Sequence, residues 1–246
     1  MNPRLRLATV ICGLAFVLLL TGCGGKKRTS TARNIPTSPP TYSPSARREP
    51  FPPPNPVQHP PRHNEKVLYT ETGLASWYGP PYHNRKAANG EVYDMQQPTA
   101  AHRTLPFGSV VRVTNVATGD STIVRINDRG PFVSGRVIDL SLAAAKAVGV
   151  WRAGVARVRL DVLEAPTDIH SGGRWCVQIG AFDDRDKAAD LKQRLIQRYA
   201  AAKVIQFSGP TGEWVRVRFP QDDKRKAEEV ADNTRTSAPV WLVRLD

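Results

Sequence analysis

The chain has 246 residues, with 35 lysines and arginines against 22 aspartates and glutamates, a formal net charge of +13. That charge raises nucleic acid as a partner, alongside anionic lipid head groups, wall polymers, or a surface that is merely solvated. Only one of the three cysteines, Cys176, lies beyond the first 23 residues, which excludes a disulfide framework in the rest of the chain.

Arg4 and Arg6 form a short basic region ahead of an almost wholly apolar run over 7–20. The run suits a signal-peptide core and falls short of the roughly 20 residues that a membrane-spanning helix needs. Leu20, Thr21, Gly22 and Cys23 follow and resemble a bacterial lipobox. The resemblance implies a signal peptide over 1–22, cleavage before Cys23 and lipid on its thiol. An ordinary signal peptide beside an incidental cysteine is the other reading. Gly24, in place of an aspartate, favours the outer over the inner membrane by resemblance to lipoprotein sorting signals. An exported lipoprotein does not meet nucleic acid, so that partner is set aside. Residues 23–68 are polar, basic and proline-rich. Such a segment cannot bury a core and is expected to be a disordered tether of polyproline character. At about 3.1 Å per residue, some 45 residues reach at most roughly 140 Å. His59 and His63 have the metal-ligand spacing of a helix, but the prolines around them forbid the helix.

Between 69 and 165 short β-rich runs alternate with Gly, Pro and Asn turns. "GLASWYG" reads as one strand. "SVVRVTNVATGDSTIVRIND" reads as two, with Val111, Val113, Val124 and Ile126 facing inwards and Ala117, Thr118, Gly119 and Asp120 turning between them. "DLSLAAAKAVG" predicts a short helix with Ser141 as N-cap and Gly149 as its stop. "GVARVRLDVLE" is a closing strand. Many short strands with one or two short helices argue a small β-barrel. "IVRINDRGPF", over 123–132, poses a question. Val124, Ile126 and Asp128 share one parity, so a carboxylate points where its neighbours build a core. Asp128 either starts the turn made by Arg129, Gly130 and Pro131, or it is an acid held in a dry site for chemistry.

After a short linker over 166–173, residues 174–246 have a different rhythm. "RWCVQIGAF" is a strand. "DRDKAADLKQRLIQRY" is an amphipathic helix with Ala188, Leu191, Leu195 and Tyr199 on one side. "AAKVIQFS" and "EWVRVRF" are strands, "DDKRKAEEVADNT" is a second helix and "APVWLVRL" a last strand. The order βαββαβ predicts a ferredoxin-like sheet with both helices on one face and the other face open. The fold class is therefore mainly β plus α+β. Trp175, Val177, Ile179, Val215, Val217 and Phe219 belong under the helices. Gln178, Trp214, Arg216 and Arg218 would line the open face, and a ring beside amide and guanidinium donors suits a sugar chain. Cys176, a small hydrophobe in a strand, gets no catalytic role.

"WCVQIGAF" and "WVRVRF" resemble the SPOR domain, the sporulation-related repeat of bacterial division proteins. The resemblance implies binding of septal peptidoglycan glycans stripped of stem peptides. Arg218, Phe219 and Pro220 stand where the family often has Gly-Pro-Phe after the third strand's valine. In the barrel, "GLASWYG", "AANGEVYDM", "TAAHRTLPFGSVVRVTN" and "NDRGPFVSGRVIDLS" resemble the double-psi β-barrel of the rare lipoprotein A family, the septal-ring lytic transglycosylases, over 73–162. That resemblance implies cleavage of MurNAc–GlcNAc bonds in peptide-poor strands without water, leaving a 1,6-anhydro sugar. The sequence itself shows no cofactor or metal site. The family's functional polar positions fall on Glu91, Asp94, His102 and Asp128. The family's usual His-Gly-Arg-x-Thr-Ala-Asn-Gly-Glu is matched by residues 83–91, with Asn84 for the first glycine and Ala87 for the threonine. Asparagine tolerates the left-handed conformation of that glycine, whereas Ala87 loses a hydroxyl.

Glycosidic cleavage needs a proton delivered to the leaving oxygen. A carboxyl group supplies one near neutral pH only if burial or a like charge raises its pKa. Asp128 fits that demand, and its conjugate base can take the proton of the attacking C6 hydroxyl. Glu91 and Asp94 are assigned to sugar positioning and to stabilising developing positive charge. His102 is assigned to orienting an acid or bonding the N-acetyl group. Each has a plainer reading: turn chemistry for Asp128, loop solvation for Glu91, a hydrogen-bonded structural histidine for His102. Trp77 and Tyr78 stack on sugar or fill the barrel core. The rival function is a non-catalytic wall binder, expansin-like, or a scaffold for division partners.

Overall fold

Alternation of apolar and polar residues builds the first domain. The computed structural model describes residues 66–246; the lipobox, Cys23, His59 and His63 lie outside the described residues. Six strands, β1 (Tyr69–Trp77), β2 (Thr99–His102), β3 (Val110–Asn115), β4 (Ser121–Asp128), β5 (Arg136–Leu140) and β6 (Ala156–Glu164), close into a barrel in the order β1-β5-β2-β4-β3-β6. Two neighbouring pairs, β1 with β5 and β2 with β4, run parallel. The barrel is filled as the period of two requires, with Val111, Val113, Val124, Ile126, Ile138 and Leu160 all buried. β1 and β5 approach so closely that a Cβ on Gly73 would come within 2.4 Å of a Val137 methyl.

The 117–120 turn forms with Gly119 at φ 79°, a conformation that glycine adopts without strain. The predicted helix is α1 (Leu142–Ala147), whose N-cap Ser141 Oγ accepts from the Ala144 N–H, and Gly149 follows in the left-handed conformation. A short α2 (Val150–Ala153) leads into β6.

Strand parity carries one error. Between β2 and β4 the register jumps from Ala100 opposite Ile126 to Ala101 opposite Asp128, so Asn127 is an extra residue in β4. Such a bulge resets the alternation. Ile126 and Asn127 are both buried, and Asp128 stands half-buried at the rim instead of continuing the core face.

The second domain follows the predicted order: β7 (Trp175–Phe182), α3 (Arg185–Arg198), β8 (Lys203–Gly209), β9 (Gly212–Arg218), α4 (Lys224–Asn233) and β10 (Val240–Arg244). Its antiparallel sheet is ordered β10-β7-β9-β8. Asp184 and Asp223 cap the two helices by accepting backbone N–H groups of the first turn. Ala188, Leu191 and Leu195 pack with Trp175, Val177, Ile179, Val215 and Val217 in one core; Tyr199, just beyond α3, and Phe219, just beyond β9, are partly buried against it.

The other face of this sheet is not open, which corrects the expectation. Cys176 is fully buried and Gln178 and Trp214 are each 4% exposed. Phe132 of the barrel meets Trp214 edge-on at 5.4 Å and Trp241 at 6.5 Å between ring centres. Parity assigns side chains to faces but carries no information about what packs on a face. Backbone bonds stitch the seam: Arg244 N–H to Arg103 C=O at 3.0 Å, and Phe107 N–H to Asp246 C=O at 3.2 Å.

Gly73→Ala should therefore destabilise the barrel by about 1–3 kcal/mol through overpacking against Val137. Urea denaturation should show a lower midpoint at an unchanged slope.

Candidate active site

A cleft of about 920 Å³ opens at the junction of the two domains. On the barrel side it is lined by Trp77 and Tyr78 from the end of β1, Lys86 and Ala88 from the following loop, Asp128 at the end of β4 and Asp139 on β5.

Asp128 is held by one oxygen. Its Oδ1 accepts from the Ala88 N–H at 2.9 Å and the Arg129 N–H at 2.8 Å, and no hydrogen bond engages Oδ2 among the described residues. The 84–91 loop explains the first of these bonds. Asn84 takes φ 64°, as its place in the motif led one to expect, and the Ala87 and Glu91 backbones bond to each other. This folds the loop so that the Ala88 N–H faces the carboxylate. Burial raises the Asp128 pKa; the two N–H donors and the Arg129 charge oppose it without cancelling it.

Asp139 is the residue that sequence reasoning missed. It sits in "RVIDLS" with its parity opposite to Ile138 and Leu140, the pattern of a solvated strand face. In the barrel, β5 lies between β1 and β2, and that face lines the cleft. Arg136 Nη2 reaches Asp139 Oδ2 at 3.2 Å, while Oδ1 is buried without a partner. Burial pushes the Asp139 pKa up to about 6; Arg136 and Arg103 oppose this, and the negative charge of Asp128 adds to it. The only sequence signal was an acid two residues before the helix cap Ser141.

Tyr78 completes the floor. Its ring stacks on Tyr93 at 4.4 Å between centres, and the Tyr93 hydroxyl donates to the Tyr78 carbonyl at 2.7 Å. Burial and the nearby Asp128 charge hold the Tyr78 phenol well above its usual range, so it stays protonated. Trp77 does both things that its sequence allowed, packing partly against the barrel core while lining the cleft.

The other three predicted positions lie away from the cleft lining. Glu91 makes a two-pronged pair with Arg125 at 3.1 and 2.9 Å. The Arg125 bonds, set against partial burial, hold its carboxyl below the usual range, so it stays ionised. Asp94 Oδ1 accepts from the Gln96 N–H at 2.9 Å, with His83 Nδ1 3.8 Å away. His102 is 2% exposed. Its Nδ1 accepts from the Thr104 and Leu105 N–H groups, at 3.2 and 3.1 Å, and Nε2 meets Glu71 at 3.1 Å. That pattern requires the neutral tautomer with the proton on Nε2. Burial pushes its pKa down, with Glu71 opposing.

Across the cleft stand Gln178, Phe207, Trp214 and Arg216. Arg216 Nη2 donates to Gln178 Oε1 at 2.7 Å. Arg218 is outside the lining and forms a two-pronged pair with Asp222 at 2.9 and 2.7 Å. Among the described residues no His, Cys, Asp and Glu cluster could hold a metal ion.

Residues 70–160 match the family of lytic transglycolases, and residues 171–238 match the SPOR domain. The endolytic peptidoglycan transglycosylase RlpA of Vibrio cholerae is 41% identical over 162 residues, 63% of this chain and 62% of that protein. RlpA of Helicobacter pylori strain J99 is 43% identical over half of this chain and 48% of its own length. RlpA of Pseudomonas aeruginosa strain UCBPP-PA14 is 41% identical over 69% of this chain and half of its own length. The chain thus spans about half to three-fifths of the length of these curated relatives.

The buried neutral His102 makes a prediction about stability. The unfolded chain takes up a proton at a histidine near pH 6.5, whereas the folded chain resists it. Stability is therefore present above that pH and is lost as pH falls below it. The urea midpoint should drop between pH 7 and pH 5, and this drop should be smaller in His102→Gln.

Proposed function

We propose that the chain belongs to the rare lipoprotein A family, which its two domains and its relatives support, and that it is an endolytic lytic transglycosylase of peptidoglycan. Its substrate is the MurNAc–GlcNAc bond of peptide-poor glycan strands, and its product ends in a 1,6-anhydro sugar. The observation that carries this reading is the one cleft lined by both Asp128 and Asp139, each raised by burial.

The chemistry follows from that cleft. Burial raises the Asp128 carboxyl, so it keeps a proton above the usual carboxylate range. Asp128 Oδ2, the oxygen without a partner, gives this proton to the glycosidic oxygen as the bond from the MurNAc C1 to that oxygen breaks. The MurNAc C6 hydroxyl oxygen attacks C1, and its proton returns to Asp128. No water is consumed and the enzyme regains its starting protonation. Glu91, Asp94 and His102 act through the loop and the barrel wall. The Glu91–Arg125 pair braces the loop that delivers the Ala88 N–H, and His102 pins the 103–105 backbone.

In the cell the protein is a lipoprotein anchored through Cys23 to the outer membrane and facing the periplasm. The 23–68 segment tethers the barrel, and the second domain directs it to septal glycan.

Digestion of peptide-free glycan strands should release anhydro-sugar products detectable by mass spectrometry. Asp128→Asn should lower the rate by about 10²–10⁴-fold. Activity should fall as pH rises through the raised pKa of Asp128, because the donor then loses its proton. Absence of anhydro products from the wild-type chain would leave a non-catalytic wall binder.

A further inference from the structure

Four adjacent strands carry one row of side chains across the barrel side of the cleft. Ser76 of β1 stands opposite Asp139 of β5. Ala101 of β2 stands opposite Asp139 and, past the bulge, opposite Asp128 of β4. All four residues line the cleft. Neighbouring strands lie about 4.8 Å apart, so the two acids stand roughly two strand spacings from each other. Only the Ala101 methyl lies between them in the row, which leaves a slot with an acid on each side.

One cation is aimed at this slot. Arg136, at the start of β5, lines the cleft and gives Nη2 to Asp139 Oδ2 at 3.2 Å. Its main chain is anchored: Arg103 Nη1 donates to the Arg136 carbonyl at 2.7 Å and to the Pro131 carbonyl at 2.9 Å. The Arg136 Nε is buried, out of the reach of a ligand. Nη1 is not buried and makes no hydrogen bond among the described residues, so it is the nitrogen that the guanidinium offers to the cleft.

Charge decides what that nitrogen can hold. Arg136 is already paired with one carboxylate, and a second acid lines the same cleft. An anionic ligand group would meet a cation that is already offset and would face both acids. An ammonium has donors only and offers Nη1 no acceptor. A neutral, strongly accepting oxygen fits, and in an N-acetylated sugar that oxygen is the amide carbonyl. His102, to which the sequence gave the N-acetyl group, is closed into the barrel wall with both ring nitrogens engaged.

We propose that Arg136 holds the acetamido carbonyl oxygen of the sugar seated over Ala101, with Asp139 as the positioning residue that aims it. The identity of the sugar rests on the transglycosylase reading. Arg136 then makes the cleft specific for N-acetylated strands. Removing the acetyl group replaces the acceptor with an ammonium and leaves Nη1 without a partner in the bound state.

The test uses the full chain carrying Asp128→Asn in a calorimeter. The probes are a short soluble peptide-free glycan oligosaccharide and the same oligosaccharide after chemical de-N-acetylation. The readout is the ratio of the two affinities, which a purely structural role would not move. The parent should prefer the N-acetylated probe by about tenfold or more. Arg136→Met should weaken binding of that probe by about tenfold and bring the ratio close to one. Arg136→Lys keeps a charge beside Asp139 without the planar fork, and Asp139→Asn keeps the shape without the charge; each should lose part of the preference. No preference in the parent, or parental preference in Arg136→Met, would overturn the proposal. If Arg136→Met does not fold, parental preference in both Arg136→Lys and Asp139→Asn overturns it instead. Anhydro-sugar release by the wild-type chain is read separately. Its absence removes the reaction and leaves the acetamido site standing, whereas release with an Arg136-independent preference does the reverse.

Discussion

The structure turns on how Arg129 is buried. Its guanidinium donates to four main-chain carbonyls, those of His102, Leu105, Arg244 and Asp246, and lies 3.6 Å above the Phe107 ring centre. Burial pushes its pKa down to about 9. Taking a cation out of water is expensive, and a full set of hydrogen bonds is what makes it tolerable. Those bonds converge from one barrel segment, 102–105, and from the end of the second domain's last strand and the residues just beyond it. The same residue's N–H supports the Asp128 carboxylate. One side chain thus links the acid, the barrel wall and the neighbouring sheet.

The acidic residues of the barrel separate by environment rather than by type. Glu91 is exposed and paired with Arg125, which keeps it ionised. Asp128 and Asp139 are partly shielded from water, and burial raises both. The Asp139 oxygen without a partner is costly in a folded protein, and such sites persist where chemistry requires a group to change its charge. His102 shows the opposite arrangement. With both ring nitrogens engaged, it holds a backbone turn.

Much of the fold was legible in the chain. Val111, Val113, Val124 and Ile126 face inwards because a strand alternates, and the βαββαβ order follows from runs of apolar periodicity that tertiary packing did not override. Ser141 caps its helix because a hydroxyl can accept a free N–H there. Asp128 was legible as a candidate acid, but for an incomplete reason. Its parity pointed to the core, and the Asn127 bulge turned it to the rim. Asp139 stayed hidden, since alternation assigns it to a polar face and only barrel closure encloses that face.

By itself, then, the sequence determined the elements, their order and which side chains share a face, because these depend on local periodicity and on hydrogen bonding between near neighbours. It also marked Asp128 and the chemistry that a raised carboxyl could do. Tertiary structure alone decided which acids share a cleft, that the glycan-binding face proposed from parity is covered at Cys176, Gln178 and Trp214, and that Arg216 and Asp128 line the same cleft. Those facts depend on contacts between residues far apart in the chain, and on the desolvation that follows when two surfaces meet.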